Sequence, residues 1–86
     1  MLVRFTRHAE DKFLLLKRHG FKISKKQVLG ALKEPTLVDT SRLPLYIAQK
    51  SIDAHHVLRV VYRIEEGTKV IITFYPGRKK NYVNRG

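Results

Sequence analysis

Four side chains in two neighbouring segments of the chain have the chemistry that a phosphate-handling site requires. Arg59 and Arg63 lie an even number of residues apart, as do Thr73 and Tyr75, and both segments are rich in Val, Ile and Tyr. Because strand side chains alternate between faces, each pair points to one face. Arginine binds phosphate through its planar guanidinium. The pattern therefore predicts a phosphate-binding face, although a solvated sheet face stays open for Arg59 and is favoured for Arg63.

A run of cations follows directly. After Pro76-Gly77, which predicts a break in the strand, come Arg78, Lys79 and Lys80, and then Tyr82. The sequence YPGRKK is a turn with cations rather than a glycine-rich phosphate loop. The cations place positive charge at the end of the strand.

The histidines are the candidate proton-transfer groups. His8 falls in the first turn after Thr6, where it could accept a proton, although a surface histidine near a helix cap is the favoured interpretation. His55 and His56 are neighbours, so on a strand they point to opposite faces and cannot both bind one ion. The chain has no cysteine, and no His, Asp or Glu pair has i, i+4 spacing. We therefore predict no metal site and no cofactor.

Composition indicates a polyanionic partner. The 86 residues include 18 Lys and Arg against 7 Asp and Glu, for a net charge of +11. Such a field attracts RNA, DNA or an acidic protein. No apolar run is long enough for a membrane helix, the N-terminal residues lack a secretory pattern, and cysteine is absent, so we predict a cytoplasmic protein without membrane contact. Residues 1–86 are interpreted as one domain.

The elements that must position these residues change from helix to strand along the chain. Thr6 is the predicted N-cap of a first helix that stops at Gly20, and Ser24 with Gln27 forms a capping box for a second helix that ends before Pro35. The segments that follow have the composition and alternation of strands; they are residues 36–39, 45–50, 57–64 and 68–75. This order predicts an α+β fold with both helices on one face of an antiparallel sheet.

The turn between the last two strands decides which side chains share a face. A three-residue loop, Glu65 to Gly67, with Gly67 left-handed, would pair Arg59 with Thr73. Leu58, Val60, Tyr62, Ile64, Val70, Ile72 and Phe74 would then form the apolar face. The arginines, Thr73 and Tyr75 would share the opposite, helix-free face. Cleavage of RNA without a metal needs a base, cations for the phosphorane and a donor for the leaving oxygen, and His, Arg, Lys and Tyr side chains on or near this face would supply them.

The ordered set of residues resembles the RelE/ParE-like toxin superfamily, which shares a fold with barnase-type ribonucleases. The likeness spans nearly the whole chain and is carried by short motifs. They are His8-Ala9, Ile23-Ser24 to Val28, Pro35, Arg59 and Thr73 to Tyr75. The resemblance is to a branch of small domains with a His-Ala at helix one and a Thr-x-Tyr final strand. Ribosome-dependent relatives lack the helix-one histidine and use several lysines and arginines with a C-terminal tyrosine.

The resemblance implies two helices on a curved antiparallel sheet of about four strands and an mRNA-cleaving toxin restrained by a small acidic antitoxin. It implies these catalytic residues: His8, Arg59, Thr73 and Tyr75. The basic tail resembles a substrate-binding end, and the predicted RNA-binding residues are those of the tail, Arg78, Lys79, Lys80 and Tyr82, together with Arg63 from the cationic sheet face. The partner would be RNA, free or on the ribosome. The alternative is a non-catalytic basic module that binds nucleic acid or a protein target, as ParE-like gyrase inhibitors do.

Overall fold

A computed structural model describes residues 2–82 of the protein, in which two helices lie on one face of a five-stranded sheet. The elements in chain order are β1 (Leu2–Phe5), α1 (Arg7–Arg18), α2 (Lys25–Lys33), β2 (Leu37–Asp39), β3 (Tyr46–Ser51), β4 (His56–Glu65), β5 (Thr68–Arg78) and a 3-10 turn (Lys79–Asn81). The predicted α+β class is confirmed. Met1 and residues 83–86 of the predicted domain lie outside the described residues.

Both helices begin where their capping residues predict. The Thr6 hydroxyl accepts a hydrogen bond from the Ala9 N–H at 3.2 Å. The Ser24 hydroxyl accepts from the Gln27 N–H, and the Gln27 side chain accepts from the Ser24 N–H, which completes the capping box. Gly20, with φ +87°, follows the end of α1. Among residues 2–82, neither helix is long and apolar enough to cross a membrane.

The sheet is mixed and has five strands, rather than about four antiparallel strands. Its order is β1-β5-β4-β3-β2. The segment Leu2–Phe5, which is not among the predicted strands, pairs in parallel with the first residues of β5, from Thr68 to Ile71. Its partner lies more than sixty positions away, so local sequence could not identify the pairing. The other neighbouring strands are antiparallel.

The hairpin between β4 and β5 differs from the prediction. Glu65 pairs with Thr68, so the loop has two residues, Glu66 and Gly67, both with positive φ (+47° and +77°). The left-handed Gly67 is confirmed, but the three-residue loop is wrong. A register shift between Val61 and Tyr62 restores the predicted assignment of side chains to the two faces in the part of the hairpin farther from the turn. Such a bulge adds one residue to one strand.

The bulge changes which residues lie opposite one another. Val61 pairs with Thr73 and Tyr62 with Ile71, so Ile72 is the extra residue. Arg59 therefore pairs with Tyr75 and not with Thr73. Directly paired residues point to the same side of a sheet. The prediction that Arg59 and Tyr75 share a face is therefore confirmed, although the predicted loop length is wrong.

The helices pack over one face of the sheet, where the main core lies. Ala9 and Val28 from the helices are fully buried there with Phe74, and the rings of Phe13 and Phe74 lie 4.5 Å apart. Ile71 belongs to this core, whereas Val70 and Ile72 were expected in it. Val70 is fully buried but lies outside that core, paired with Arg63. The bulge explains the exchange, because it shifts the alternation of β5 by one residue.

The end of β5 also departs from the sequence prediction. The strand does not break at Pro76-Gly77 but continues to Arg78, paired with β4. Within residues 2–82, β1 pairs only with residues 68–71, so no strand of the described part of the chain pairs with the outer side of β5 at Pro76. Proline is tolerated at a strand edge because its missing N–H is not needed there. The chain then turns at Lys79–Asn81, and this turn positions the candidate site.

Candidate functional site

Arg59 lies at the centre of the sheet face that carries no helix. It is buried, with 6% of its surface exposed. Its Nε donates to the Tyr75 hydroxyl at 3.1 Å, one terminal nitrogen donates to the Gln49 amide oxygen, and the other forms an ion pair with Asp39 at 3.1 Å. Side chains from β2, β3 and β5 therefore converge on one guanidinium from β4.

Tyr82 covers this guanidinium from the far side. Its ring centre lies 4.4 Å from Arg59 Cζ, and its backbone carbonyl accepts a hydrogen bond from Gln49 Nε2 at 3.2 Å. Gly77 permits the arrangement, because a Cβ there would lie 2.4 Å from a Tyr82 ring carbon. We call this set the arginine cluster; it comprises Asp39, Gln49, Arg59, Tyr75 and Tyr82.

The charges of the arginine cluster are compensated internally. The Ser41 hydroxyl and N–H donate to Asp39 at 2.6 and 2.9 Å and, together with Arg59, lower the pKa of Asp39 to about 2. Burial acts to lower the pKa of Arg59, but Tyr75 and Asp39 outweigh it and raise that pKa. Both charges are retained at neutral pH, and the pair has little net charge with which to attract a phosphate.

The structure brings only some of the predicted catalytic residues together. Arg59 and Tyr75 are joined by a direct hydrogen bond. Thr73 is two residues from Tyr75, and its hydroxyl is buried without a hydrogen-bond partner. His8 is exposed in the first turn of α1, and α1 packs on the opposite face of the sheet through Phe13 and Phe74. The helix layer and the sheet therefore separate His8 from Arg59 and Tyr75.

The predicted RNA-binding residues divide among three places. Arg63 pairs with Glu65 at 3.1 Å, close to the β4–β5 turn. Seven residues of strand, about 23 Å at 3.3 Å per residue, separate it from His56 at the other end of β4. Tyr82 belongs to the arginine cluster. Only three residues of the predicted set lie together; these are Arg78, Lys79 and Lys80.

Those three cations line one side of a groove at the end of the sheet. The groove has a volume of about 430 Å³ and is called here the basic groove; it is lined by Ala54, His55, His56, Arg78, Lys79 and Lys80. Pairing of His56 with Arg78, and a 2.8 Å hydrogen bond from the Lys79 N–H to the His55 carbonyl, join its two sides. Within residues 2–82, none of the three cations forms an ion pair with a carboxylate.

Asp53 shapes the histidine side of the basic groove. Its carboxylate accepts hydrogen bonds from the N–H groups of His55 and His56, both at 2.8 Å. It also contacts His56 Nδ1 at 3.0 and 3.1 Å. The His55 N–H, followed by the His56 ring, lowers the pKa of Asp53. Phe21 packs edge-on against the His56 ring at 5.6 Å. Asp53 and Phe21 therefore fix the orientation of the His56 ring. Asp53 contacts Nδ1 of the ring and not Nε2.

Sequence reasoning missed two parts of these sites. Asp39 and Gln49 gave no signal, because each is an ordinary polar residue on its own strand and only the strand order brings it to Arg59. The Asp53 turn did have a signal. Asp-x-His-His matches an Asx turn, in which an aspartate accepts from the N–H groups two and three residues on. Within residues 2–82, no three His, Asp or Glu side chains are grouped so that they could hold a metal.

Comparison of the chain with protein-family models, curated proteins and solved structures finds no match. The resemblance to the RelE/ParE-like superfamily is therefore carried by the sequence motifs alone. The chemistry of the arginine cluster and of the basic groove rests on their own geometry.

Proposed function

We propose that this protein is a metal-independent endoribonuclease that binds single-stranded RNA in the basic groove. The observation that carries the proposal is the grouping of Arg78, Lys79 and Lys80 with two histidines in one groove. Cations without carboxylate partners bind backbone phosphates and stabilise a phosphorane. Histidines supply the proton transfers that cleavage requires.

A biological role as the toxin of a toxin–antitoxin pair, acting in the cytoplasm, is part of this proposal. The two helices on one sheet face support the RelE-like fold that the sequence motifs imply. The net charge of +11 supports a small acidic antitoxin as the protein partner, since such a partner would compete with RNA for the same cations.

Incubation with RNA in EDTA tests the activity. We expect fragments that end in 2′,3′-cyclic phosphate and 5′-hydroxyl groups, and no cleavage of DNA of the same sequence, because DNA lacks the attacking 2′-hydroxyl. Intact RNA after prolonged incubation with folded protein would contradict the ribonuclease proposal.

Salt-dependent binding tests the groove. Lys79→Ala/Lys80→Ala should reduce the slope of log K against log salt by about 0.7 for each phosphate of a single strand that the two lysines neutralise. Lys26→Ala/Lys33→Ala, which removes the same charge from exposed positions of α2, is the matched control and should retain the wild-type slope. Equal slopes for both double variants would contradict RNA binding in the groove.

A second candidate is a non-catalytic basic module for nucleic acid or for a protein target of the ParE type. It is favoured by the arginine cluster, in which Arg59 is already bonded to three side chains. The position of His8 in the helix layer favours it too. This candidate would be supported if the protein binds RNA but does not cleave it, both in the presence and in the absence of EDTA.

A further inference from the structure

We propose that His56 and His55 carry out the proton transfers of RNA cleavage in the basic groove, and that Asp53 positions His56. This inference rests on the proposed ribonuclease function. It assigns the reaction to the turn before β4 and the first residue of that strand, instead of the histidine in α1 and the Arg59 face that the sequence suggested.

The contact with Asp53 determines how His56 can act. A carboxylate that faces Nδ1 holds a proton on that nitrogen, so in the neutral ring Nε2 has the free lone pair. Both Asp53 oxygens lie within 3.1 Å of Nδ1, and Phe21 packs against the ring. His56 therefore presents a basic nitrogen in a fixed orientation. His8 has no such carboxylate partner in the described residues.

Two histidines in one groove allow the base and the acid to be different groups. His56 Nε2 takes the proton of the 2′-hydroxyl while the 2′-oxygen forms a bond to phosphorus. The bond from phosphorus to the 5′-oxygen breaks, and protonated His55 donates a proton to that oxygen. The products are a 2′,3′-cyclic phosphate and a 5′-hydroxyl, with one proton moved from His55 to His56 overall. Arg78, Lys79 and Lys80 stabilise the charge of the phosphorane.

His8 is too far from the groove to share in this reaction. Phe21, which contacts the His56 ring, follows the C-terminal end of α1, whereas His8 lies in the first turn. The 12 residues of α1 span about 18 Å at 1.5 Å per residue. A proton acceptor must lie within hydrogen-bond reach of its donor, directly or through one water.

The test compares cleavage of a mixed-sequence RNA oligonucleotide in EDTA by wild type, His56→Ala and His55→Ala. Each variant should lose about 10²–10⁴-fold in cleavage rate, the usual contribution of a positioned acid or base. RNA affinity should remain within a factor of about three, because the three cations are unchanged. His19→Ala is the matched control, since His19 is exposed and its ring has one hydrogen-bond partner within residues 2–82, the Leu15 carbonyl at the end of α1.

Two further measurements separate catalysis from structure. Added imidazole should restore part of the rate of His56→Ala, because it can enter the space left by the ring, whereas a misfolded variant would not respond. Asp53→Asn retains an oxygen that accepts from the two backbone N–H groups but loses the charge beside the ring. It should therefore lower the rate while RNA affinity and melting temperature stay close to wild type.

The outcomes distinguish the inference from the function on which it rests. Wild-type cleavage combined with full activity of His56→Ala and His55→Ala would overturn the assignment and leave the ribonuclease intact. Loss of cleavage in His8→Gln, with His56→Ala active, would return the reaction to α1. RNA that wild type binds but never cleaves would overturn both. Losses in both histidine variants, with imidazole rescue, would support the assignment.

Discussion

The arginine cluster and the basic groove handle positive charge in opposite ways. In the cluster, Arg59 is buried and bonded to three side chains, one of them the carboxylate of Asp39, with Tyr82 over its face. In the groove, Lys79 and Lys80 have no ion-pair partner within residues 2–82, and Lys80 is exposed. The first arrangement uses a cation to join strands, and the second leaves cations available to a ligand.

The comparison shows that an arginine beside a tyrosine on a sheet face does not by itself indicate a ligand site. Arg59 joins β4 to β2, β3 and β5, and its donors are largely occupied by the protein. What marks a candidate site is positive charge that the fold does not compensate. By this criterion the basic groove, and not the arginine cluster, is the surface proposed to bind phosphate. Each of the following predictions tests one side of this contrast.

The largest effect should come from Arg59→Met. Removing the guanidinium leaves the buried Gln49 amide oxygen and the partly buried Asp39 carboxylate without this donor, and each acceptor left unsatisfied in this way costs about 1–3 kcal/mol. The free energy of unfolding in urea measures the loss. Arg63→Met is the control. It removes an arginine from the same face, but the Arg63 pair with Glu65 is partly exposed and should be worth less than about 1 kcal/mol. Equal losses would mean that the cluster is not a structural centre.

A smaller loss should follow from Gly77→Ala. The added Cβ would lie 2.4 Å from the Tyr82 ring and should displace it from Arg59. A desolvated cation–π contact of this kind is worth about 1–2 kcal/mol. Gly30→Ala is a control of opposite sign, because nothing lies within 4 Å of its Cβ position and alanine favours the α2 helix by about 1 kcal/mol. If Tyr82 covers Arg59, Gly77→Ala should cost nothing further in a Tyr82→Ala background.

Acid should weaken the cluster through Asp39. Its pKa is about 2 in the folded protein and 3.8 as the ordinary value, so its contribution is fully present above pH 4 and is lost as the pH falls toward 2. Because the Asp39 side chain is 28% exposed, solvent screening limits its contribution to the free energy of unfolding to about 1 kcal/mol. Urea unfolding from pH 5 to pH 2 measures it. Asp39→Asn should show a correspondingly weaker dependence on pH, and an unchanged dependence would contradict the depressed pKa.

The smallest effect on stability should come from the groove. Lys79→Ala/Lys80→Ala removes two cations that make no ion pairs within residues 2–82, so the free energy of unfolding should change by less than about 0.5 kcal/mol. In a chain of net charge +11 a slight gain is also consistent with reduced repulsion. A loss as large as that of Arg59→Met would show that the groove lysines are structural, which would remove the contrast between the two regions.

Local signals in the sequence were sufficient for the helices. The Thr6 and Ser24 caps lie where they were predicted, because a capping hydrogen bond needs only residues three positions apart. The left-handed Gly67 was found in the same way. The predicted length of the β4–β5 loop was wrong. A two-residue turn followed by a bulge and a three-residue turn without one place nearly the same side chains on each face of the sheet. The alternation along the strands therefore could not distinguish them.

What the sequence determined by itself was the order and type of the elements from α1 to β5, the excess of positive charge, and the sharing of a face by Arg59 and Tyr75. These depend on alternation, capping and composition, which act over a few residues. The tertiary structure decided that β1 completes the sheet, that Asp39 and Gln49 occupy Arg59, and that His55, His56 and the cations of residues 78–80 meet in one groove. These contacts join residues far apart in the chain, and their partners are set only when the strands take their order in the sheet.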